Sequence, residues 1–251
     1  MRVAAIQFRP PKGRPHAARL ALRVLIDEAG QRDAHLIVCP EMATTGYVWE
    51  SPRELGPHSE RARGETFRML SEAAREHSAW VVCGFPELFV HPERTSRSGR
   101  TMATLYNSAL VVSPMGELVT CYRKVLLYDA DESWASPGWR RSVVPTEHGD
   151  VVPGICMDLN DPRFTRFLVD QQPRVVAFCT NWIEEGAPVH AYWRERLLGY
   201  QGGFVAANSW GDDGDITFCG RSAIFGPGRT LLAEAPPEGD RVLVAEIPEA
   251  R

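Results

Sequence analysis

Three side chains that could together carry out covalent acyl transfer each stand at the end of a predicted strand: Glu41, Lys124 and Cys156. A carboxylate can act as a general base, and an ammonium stabilises a nearby thiolate or oxyanion. A cysteine thiolate is a strong nucleophile toward carbonyl carbon. If the fold brings the three strand ends together, the residues form a nucleophile with its base and its electrostatic support.

Each of these residues, taken alone, also has an ordinary structural interpretation. Cys156 is preceded by Gly154 and Ile155 and followed by a polar turn, which suits a nucleophile at a strand end. A buried strand cysteine fits the same segment, and by itself that interpretation is favoured. Glu41 fits a helix or turn cap, and Lys124 fits an exposed lysine at a strand end.

The elements that must position these residues can be predicted from periodicity and from glycine and proline punctuation. Strands are predicted at 3–8, 35–39, 80–85, 107–113, 118–123, 151–158, 175–179, 204–207, 222–225, 231–234 and 242–247. Helices are predicted at 15–29, 65–77, 163–171 and 189–198. Strands alternate with helices early in the chain and pair with one another late, which predicts an α/β layered sandwich.

The order of the three residues, with their surroundings, resembles the Glu-Lys-Cys triad of the nitrilase superfamily of carbon–nitrogen hydrolases. The resemblance extends from Val3 to Ile247. The matching segments are Cys39-Pro40-Glu41 with Thr45-Gly46-Tyr47, Tyr106-Asn107-Ser108-Ala109 with Gly116 and Tyr122-Arg123-Lys124, Gly154-Ile155-Cys156 with Asp158, and Phe218-Cys219-Gly220-Arg221-Ser222 with Pro227-Gly228.

This resemblance implies an α/β fold of the four-layer αββα sandwich type, in a single carbon–nitrogen hydrolase domain over residues 1–251. It implies a small-molecule amide substrate and a covalent mechanism without metal or cofactor. In that mechanism Glu41 takes the thiol proton, Cys156 attacks, and Lys124 with the backbone N–H of Met157 holds the oxyanion. It also implies a homodimer or a higher homo-oligomer.

Further site residues follow from the resemblance. Glu132, which precedes a Pro-Gly pair, occupies the place of a second family glutamate that is expected to hydrogen-bond Lys124. Asp129 and Asp131 beside it are interpreted as solvated loop charges. The substrate-binding candidates are Tyr47, Met157, Asn181, Trp182 and Arg163. Arg163 lies three residues later than in many relatives, and a surface arginine at a helix start fits it equally well.

The nature of the amide stays open at this point. The leading interpretation is an ω-amidase-like or aliphatic amidase that releases ammonia. The alternatives are a nitrilase, an N-carbamoyl-amide hydrolase, a protein N-terminal Asn/Gln amidase-like enzyme and a non-catalytic scaffold. The run 157–160 resembles fungal N-terminal amidases, whereas 199–203 departs from the Ala-x-Glu-Asn run of many relatives.

Composition argues against several other classes of protein. The formal net charge is -4, and the basic cluster at 94–100 is interrupted by Ser, Thr and Gly, so neither nucleic acid nor an anionic membrane is an expected partner. No secretory signal opens the chain and no apolar run is long enough to span a membrane. The six cysteines are far apart, which indicates reduced thiols and, with the missing signal, a cytoplasmic location.

Overall fold

The structure is a computed structural model, and it describes residues 1–95 and 101–248. Most of the basic cluster at 94–100 therefore lies outside the described residues. The strands are β1 Arg2–Gln7, β2 Leu36–Val38, β3 Trp80–Thr95, β4 Thr101–Val112, β5 Leu118–Arg123, β6 Val151–Ile155, β7 Val175–Thr180, β8 Gly203–Asn208, β9 Trp210–Asp213, β10 Ile216–Cys219, β11 Ala223–Phe225, β12 Leu231–Glu234 and β13 Arg241–Glu246. The α-helices are α1 Pro15–Gln31, α2 Pro52–Leu55, α3 Glu65–His77, α4 Asp129–Glu132, α5 Pro162–Gln171 and α6 Val189–Arg196.

Two mixed sheets carry most of the strands. The first has the order β13-β1-β2-β3-β4-β5, in which β1, β2 and β3 run parallel and the remaining neighbours run antiparallel. The second has the order β12-β11-β8-β7-β6, in which β6, β7 and β8 run parallel. Strands β9 and β10 form a separate hairpin. Strands β1, β2 and β3 are inner strands of the first sheet, whereas β6 is an edge strand of the second sheet that is nevertheless fully buried.

The two sheets pack face to face, and helices cover their outer surfaces. In β1, Val3 and Ala5 enter the core between the sheets, whereas Ala4 and Ile6 face the helices. Since side chains alternate across a strand, burial on both faces explains why the strand is a continuous apolar run. The same clusters place α1 and α3 against the first sheet, and a third cluster places α5 and α6 against the second. The layers are helix, sheet, sheet and helix, which confirms the predicted αββα sandwich.

Several elements of the structure differ from the prediction, and β4 begins at Thr101 and not at residue 107. Strand β6 ends at Ile155, because Cys156 has a positive φ of 41° and begins a 3-10 turn, Cys156–Asn160. Strand β3 continues to Thr95 and not only to residue 85. Pro86 lies beyond the part of β3 that pairs with β2, and proline is tolerated where a strand has one ladder neighbour. The hairpin of β9 and β10 was not predicted, since its polar residues hide the alternation.

The described helices are short. The longest of them, α1, has 17 residues and carries four charged side chains, Arg19, Arg23, Asp27 and Glu28. A helix needs about 20 apolar residues to cross the hydrocarbon core of a bilayer. Within residues 1–95 and 101–248, no helix meets the length and apolarity that a membrane span requires.

Candidate active site

Glu41 lies in the turn that follows β2 and is completely buried. Its Oε1 accepts hydrogen bonds from Asn107 Nδ2 and from Lys124 Nζ, both at 2.7 Å. Its Oε2 is buried and has no hydrogen-bond partner among the described residues. Because an unpaired buried carboxylate oxygen is costly, a free Oε2 indicates an atom that is kept available for a proton or a substrate.

Lys124 follows β5 and is also buried. Besides Glu41, its Nζ donates to Asp131 Oδ2 at 2.5 Å, and Asn107 Nδ2 donates to Asp131 Oδ1 at 2.9 Å. Lys124 and Asn107 thus each hydrogen-bond both carboxylates, which come from different parts of the chain. Burial alone would lower the pKa of Lys124, but the charges of Asp131 and Glu41 outweigh it and hold that pKa well above its ordinary value. The lysine therefore stays an ammonium.

The expectation that Glu132 hydrogen-bonds Lys124 is wrong, and so is the expectation of a solvated Asp131. In the short helix α4 Glu132 is exposed, whereas Asp131 is fully buried and also accepts a bond from the backbone N–H of Tyr128 at 3.0 Å. Successive residues on a helix point about 100° apart, so only one of the two neighbouring acids can face the lysine. Asp131, which is nearer to Tyr128 in the sequence, is the acid that faces Lys124.

Cys156 is placed by a strained turn at the end of β6. Its φ of 41° is left-handed, a conformation that a non-glycine residue adopts rarely and mostly where function requires it. Asp158 holds this turn: its Oδ2 accepts from the Ile155 N–H at 3.0 Å, and its Oδ1 accepts from the N–H groups of Val125 and Leu126. The residues directly after Lys124 are thereby bonded to the turn that carries the thiol.

Burial and charge set the protonation of the nucleophile. Burial and, next to it, the Glu41 carboxylate raise the pKa of Cys156 to about 12, although Lys124 opposes the rise. Burial likewise raises the pKa of Glu41 to about 7, with Lys124 lowering it and Asp131 raising it. At neutral pH the thiol is therefore protonated, and a substantial fraction of Glu41 is ionised and able to accept a proton. A protonated Cys156 beside a partly ionised Glu41 favours a mechanism in which the thiol proton moves to Glu41 during attack, and not one that starts from a thiolate.

A cavity of about 660 Å³, including its open mouth, lies over Cys156. Four predicted site residues line it: Tyr47, Met157, Asn181 and Trp182. The Tyr47 hydroxyl and Asn181 Oδ1 are buried and unpaired among the described residues, so both can bond a polar ligand. The cavity therefore joins the thiol to unsatisfied polar groups in a pocket lined mostly by apolar and aromatic side chains.

Comparison with known proteins agrees with this architecture. Residues 2–251 match the carbon-nitrogen hydrolase family. The chain belongs to that family. The protein N-terminal amidase of Schizosaccharomyces pombe is 27% identical over 92% of this chain and 94% of its own length. The nitrilase of Pyrococcus abyssi is 29% identical over 98% and 89%. The amidase of Nesterenkonia sp. AN1 superposes with a TM-score of 0.82 at 22% identity, covering 99% of this chain and 91% of the other.

Arg163 does not belong to the site of this carbon-nitrogen hydrolase. Its side chain is 75% exposed and pairs with Asp161 at 3.0 Å, and it is not among the residues that line the cavity. Asp161 caps α5 by accepting from the Arg163 N–H at 2.9 Å. The extra residues before the Arg-Phe pair place the arginine at the start of a surface helix, so the prediction of a substrate contact is wrong.

Two residues that the sequence did not single out complete the hydrolase site. Asn107 donates to both Glu41 and Asp131, although it appeared in the sequence only as part of a matching segment. The sequence predicts a solvated Asp131, because a carboxylate in a polar run usually contacts solvent. The available signal was its helical position three residues after Tyr128, which allows a side-chain bond back to the Tyr128 N–H.

Within the described ranges, one group of side chains has metal-ligand spacing: Asp27, Glu76 and His77, on the outer faces of α1 and α3. Arg23 pairs with both carboxylates, and His77 Nε2 lies 2.8 Å from Asp27 Oδ1. A guanidinium therefore already neutralises the acids that a cation would need. The group is interpreted as a surface ion-pair network between two helices.

Proposed function

We propose that this carbon-nitrogen hydrolase cleaves the C–N bond of a small carboxamide through a thioester on Cys156 and releases ammonia. The observation that carries the proposal is the buried Glu41 with one unpaired carboxylate oxygen, whose charge, together with that of Lys124, acts on the Cys156 thiol. Amidase names among the similar proteins, including the Schizosaccharomyces pombe enzyme, support an amide substrate.

The first half of the reaction forms the thioester. As Cys156 Sγ bonds to the amide carbon, its proton moves to Glu41, and the C=O π electrons go to the oxygen. The Lys124 ammonium and the backbone N–H of Met157, in the first turn after β6, stabilise the oxyanion. When the C–N bond breaks, protonated Glu41 returns the proton to the nitrogen, and ammonia leaves.

The second half regenerates the enzyme. Glu41, ionised again, takes a proton from a water molecule that attacks the thioester carbon. The resulting tetrahedral species collapses, the C–S bond breaks, and the proton returns to sulfur as the carboxylic acid leaves. A pKa of about 7 lets Glu41 act as base and acid in the same cycle.

Aliphatic carboxamides fit the cavity better than ω-amides. An ω-amidase-like enzyme would need a cation for the second carboxylate of its substrate, and the residues that line the cavity include no lysine, arginine or histidine. Nitrile hydrolysis is the second candidate, supported by the nitrilase of Pyrococcus abyssi among the relatives. N-carbamoyl compounds and N-terminal Asn or Gln residues are the remaining substrate classes to be tested.

The test is ammonia release from a panel of aliphatic amides, ω-amides, free Asn and Gln, N-terminal Asn peptides, nitriles and N-carbamoyl acids. We expect release from amides that falls by at least about a thousand-fold in Cys156→Ala. Cys219→Ala is the matched control, because that thiol is half-buried and outside the cavity over Cys156. Turnover of nitriles or carbamoyl compounds but of no amide would overturn the proposal.

A further inference from the structure

The wall of the cavity over Cys156 carries charge of one sign. Among the described residues that line it, Glu185 is the one whose side chain is charged at neutral pH. Lys124, Glu41 and Asp131 are fully buried and are not among the residues that line the cavity. Arg9 and Lys12 line a neighbouring cavity, and Lys12 is paired with Asp213, so the wall of the cavity over Cys156 itself offers a substrate a carboxylate and no cation.

Glu185 differs from its neighbour Glu184 in how its carboxylate is used. Glu184 accepts a hydrogen bond from the Val189 N–H at 3.0 Å and lies 3.7 Å from the Arg221 guanidinium. Glu185 has no ion pair or side-chain hydrogen bond within residues 1–95 and 101–248. Its carboxylate can therefore interact with a ligand in the cavity.

Aromatic side chains share this cavity with the exposed carboxylate of Glu185. Tyr128, Trp182, Tyr192 and Phe218 line the same cavity, and the rings of Trp182 and Tyr192 lie 5.6 Å apart. The pKa of Tyr128 is raised by burial first and then by the charges of Glu185 and Asp129, so this phenol lies within electrostatic reach of the carboxylate. A carboxylate beside aromatic faces is the arrangement that binds organic cations.

We propose that Glu185 and the aromatic wall bind a positively charged group at the far end of the substrate. The substrate class is then a carboxamide that also carries an ammonium or guanidinium, in place of the neutral or anionic amides considered above. This inference rests on the proposed amidase function for its reaction, but binding of the cation at Glu185 can be tested without turnover.

Three amides of one length provide the kinetic test: 4-aminobutanamide, pentanamide and glutaramate, which are cationic, neutral and anionic. We expect kcat/KM to be highest for 4-aminobutanamide and lowest for glutaramate. In Glu185→Gln the preference for the cationic over the neutral amide should fall about five-fold, with pentanamide little changed. Glu185→Lys should favour glutaramate.

The matched control is Glu184→Gln, which removes the same charge one residue away and keeps an oxygen that can accept from the Val189 N–H. We expect this variant to keep the preference of the unmodified chain. A preference that is the same in Glu185→Gln as in the unmodified chain, or glutaramate as the best substrate of the unmodified chain, would overturn the inference.

A second measurement separates this inference from the proposed function. We expect iodoacetamide to alkylate Cys156 through the cavity above it, and a ligand bound in that cavity to slow the reaction. We expect butylammonium to protect Cys156 more than butanol does, and Glu185→Gln to abolish the difference. If no amide is cleaved but this protection holds, the amidase proposal fails and the cation site stands. Equal protection by both ligands would overturn the cation site.

Discussion

At the scale of single residues, the site depends on which of two adjacent carboxylates faces Lys124. Asp131 is buried against the ammonium, whereas Glu132 is exposed on the other side of α4. A buried cation that loses its partner is strongly destabilised, typically by about 3–5 kcal/mol. The catalytic charge of Lys124 therefore depends on a residue that never needs to touch the substrate.

Replacement of Asp131 by Asn tests this positioning. We expect Asp131→Asn to lower kcat by about a hundred-fold. Of the two carboxylates that raise the pKa of Lys124, Asp131 has the larger effect, and the variant removes its charge. The free energy of unfolding should also fall. Steady-state kinetics and urea unfolding measure the two effects. Glu132→Gln is the control, and a loss of activity in it as large as in Asp131→Asn would contradict the assignment.

The protonation of Glu41 predicts a pH profile. Its pKa is raised to about 7, so lowering the pH through this value protonates the base and removes its ability to accept the thiol proton. The Cys156 thiol, with a pKa of about 12, stays protonated throughout. We therefore expect kcat/KM to rise with pH through a single step near 7, measured from about pH 5 to about pH 9. A rate that stays flat across this interval would argue against Glu41 as the base.

At the scale of elements, the strand that ends before each reactive residue was predictable, but the turn beyond it was not. The apolar runs of β2 and β6 are strong signals because both strands are buried, whereas β5 is mostly half-exposed and is indicated by the proline and glycine that precede it. The left-handed φ of Cys156 depends on the bonds that Asp158 makes to residues more than thirty positions away. The burial of Asp131 likewise depends on Lys124 and Asn107, which belong to other elements. Neither set of contacts can be predicted from the residues that are adjacent in the sequence.

At Gly84, the backbone of β3 packs closely against the turn that carries Glu41. A Cβ added at Gly84 would lie 2.5 Å from Pro40 O and 2.6 Å from Glu41 Cα. Since these are backbone atoms, the turn that carries the base must move. We expect Gly84→Ala to lower kcat about ten-fold or more, because a displaced base loses its alignment with the thiol.

The control for this change is Gly56→Ala, since a Cβ at Gly56 meets no atom within 4 Å. We expect that variant to keep its activity and its unfolding free energy. Ammonia release and circular dichroism of both variants make the comparison. Full activity in folded Gly84→Ala would show that the position of Glu41 does not depend on this contact.

At the scale of the whole molecule, the site is assembled across the interface of the two sheets. Glu41 and Lys124 follow strands of the first sheet, and Cys156 follows a strand of the second. Asp158 joins the two sides, because it is bonded within its own turn and also to Tyr122 Oη at 2.7 Å. Sheet packing and alignment of the reactive groups are therefore coupled.

This coupling predicts that damage at Asp158 affects stability and turnover together. Asp158→Ala leaves several buried N–H groups and one hydroxyl unpaired, so we expect the free energy of unfolding to fall by about 3 kcal/mol or more and kcat to fall with it. Tyr122→Phe removes a single one of these bonds and should cost about 1 kcal/mol. Urea unfolding and kinetics on the same samples test this. Loss of stability with unchanged kcat would contradict the coupling.

The proposed function depends above all on acylation of Cys156 during turnover. Acylation can be measured by mass spectrometry of protein that is quenched in acid while it hydrolyses its best carboxamide, followed by peptide mapping. We expect a mass increase equal to the amide minus ammonia on the peptide that contains Cys156, and neither adduct nor turnover in Cys156→Ala. An acyl group on another residue, or undiminished turnover in Cys156→Ala, would refute the mechanism.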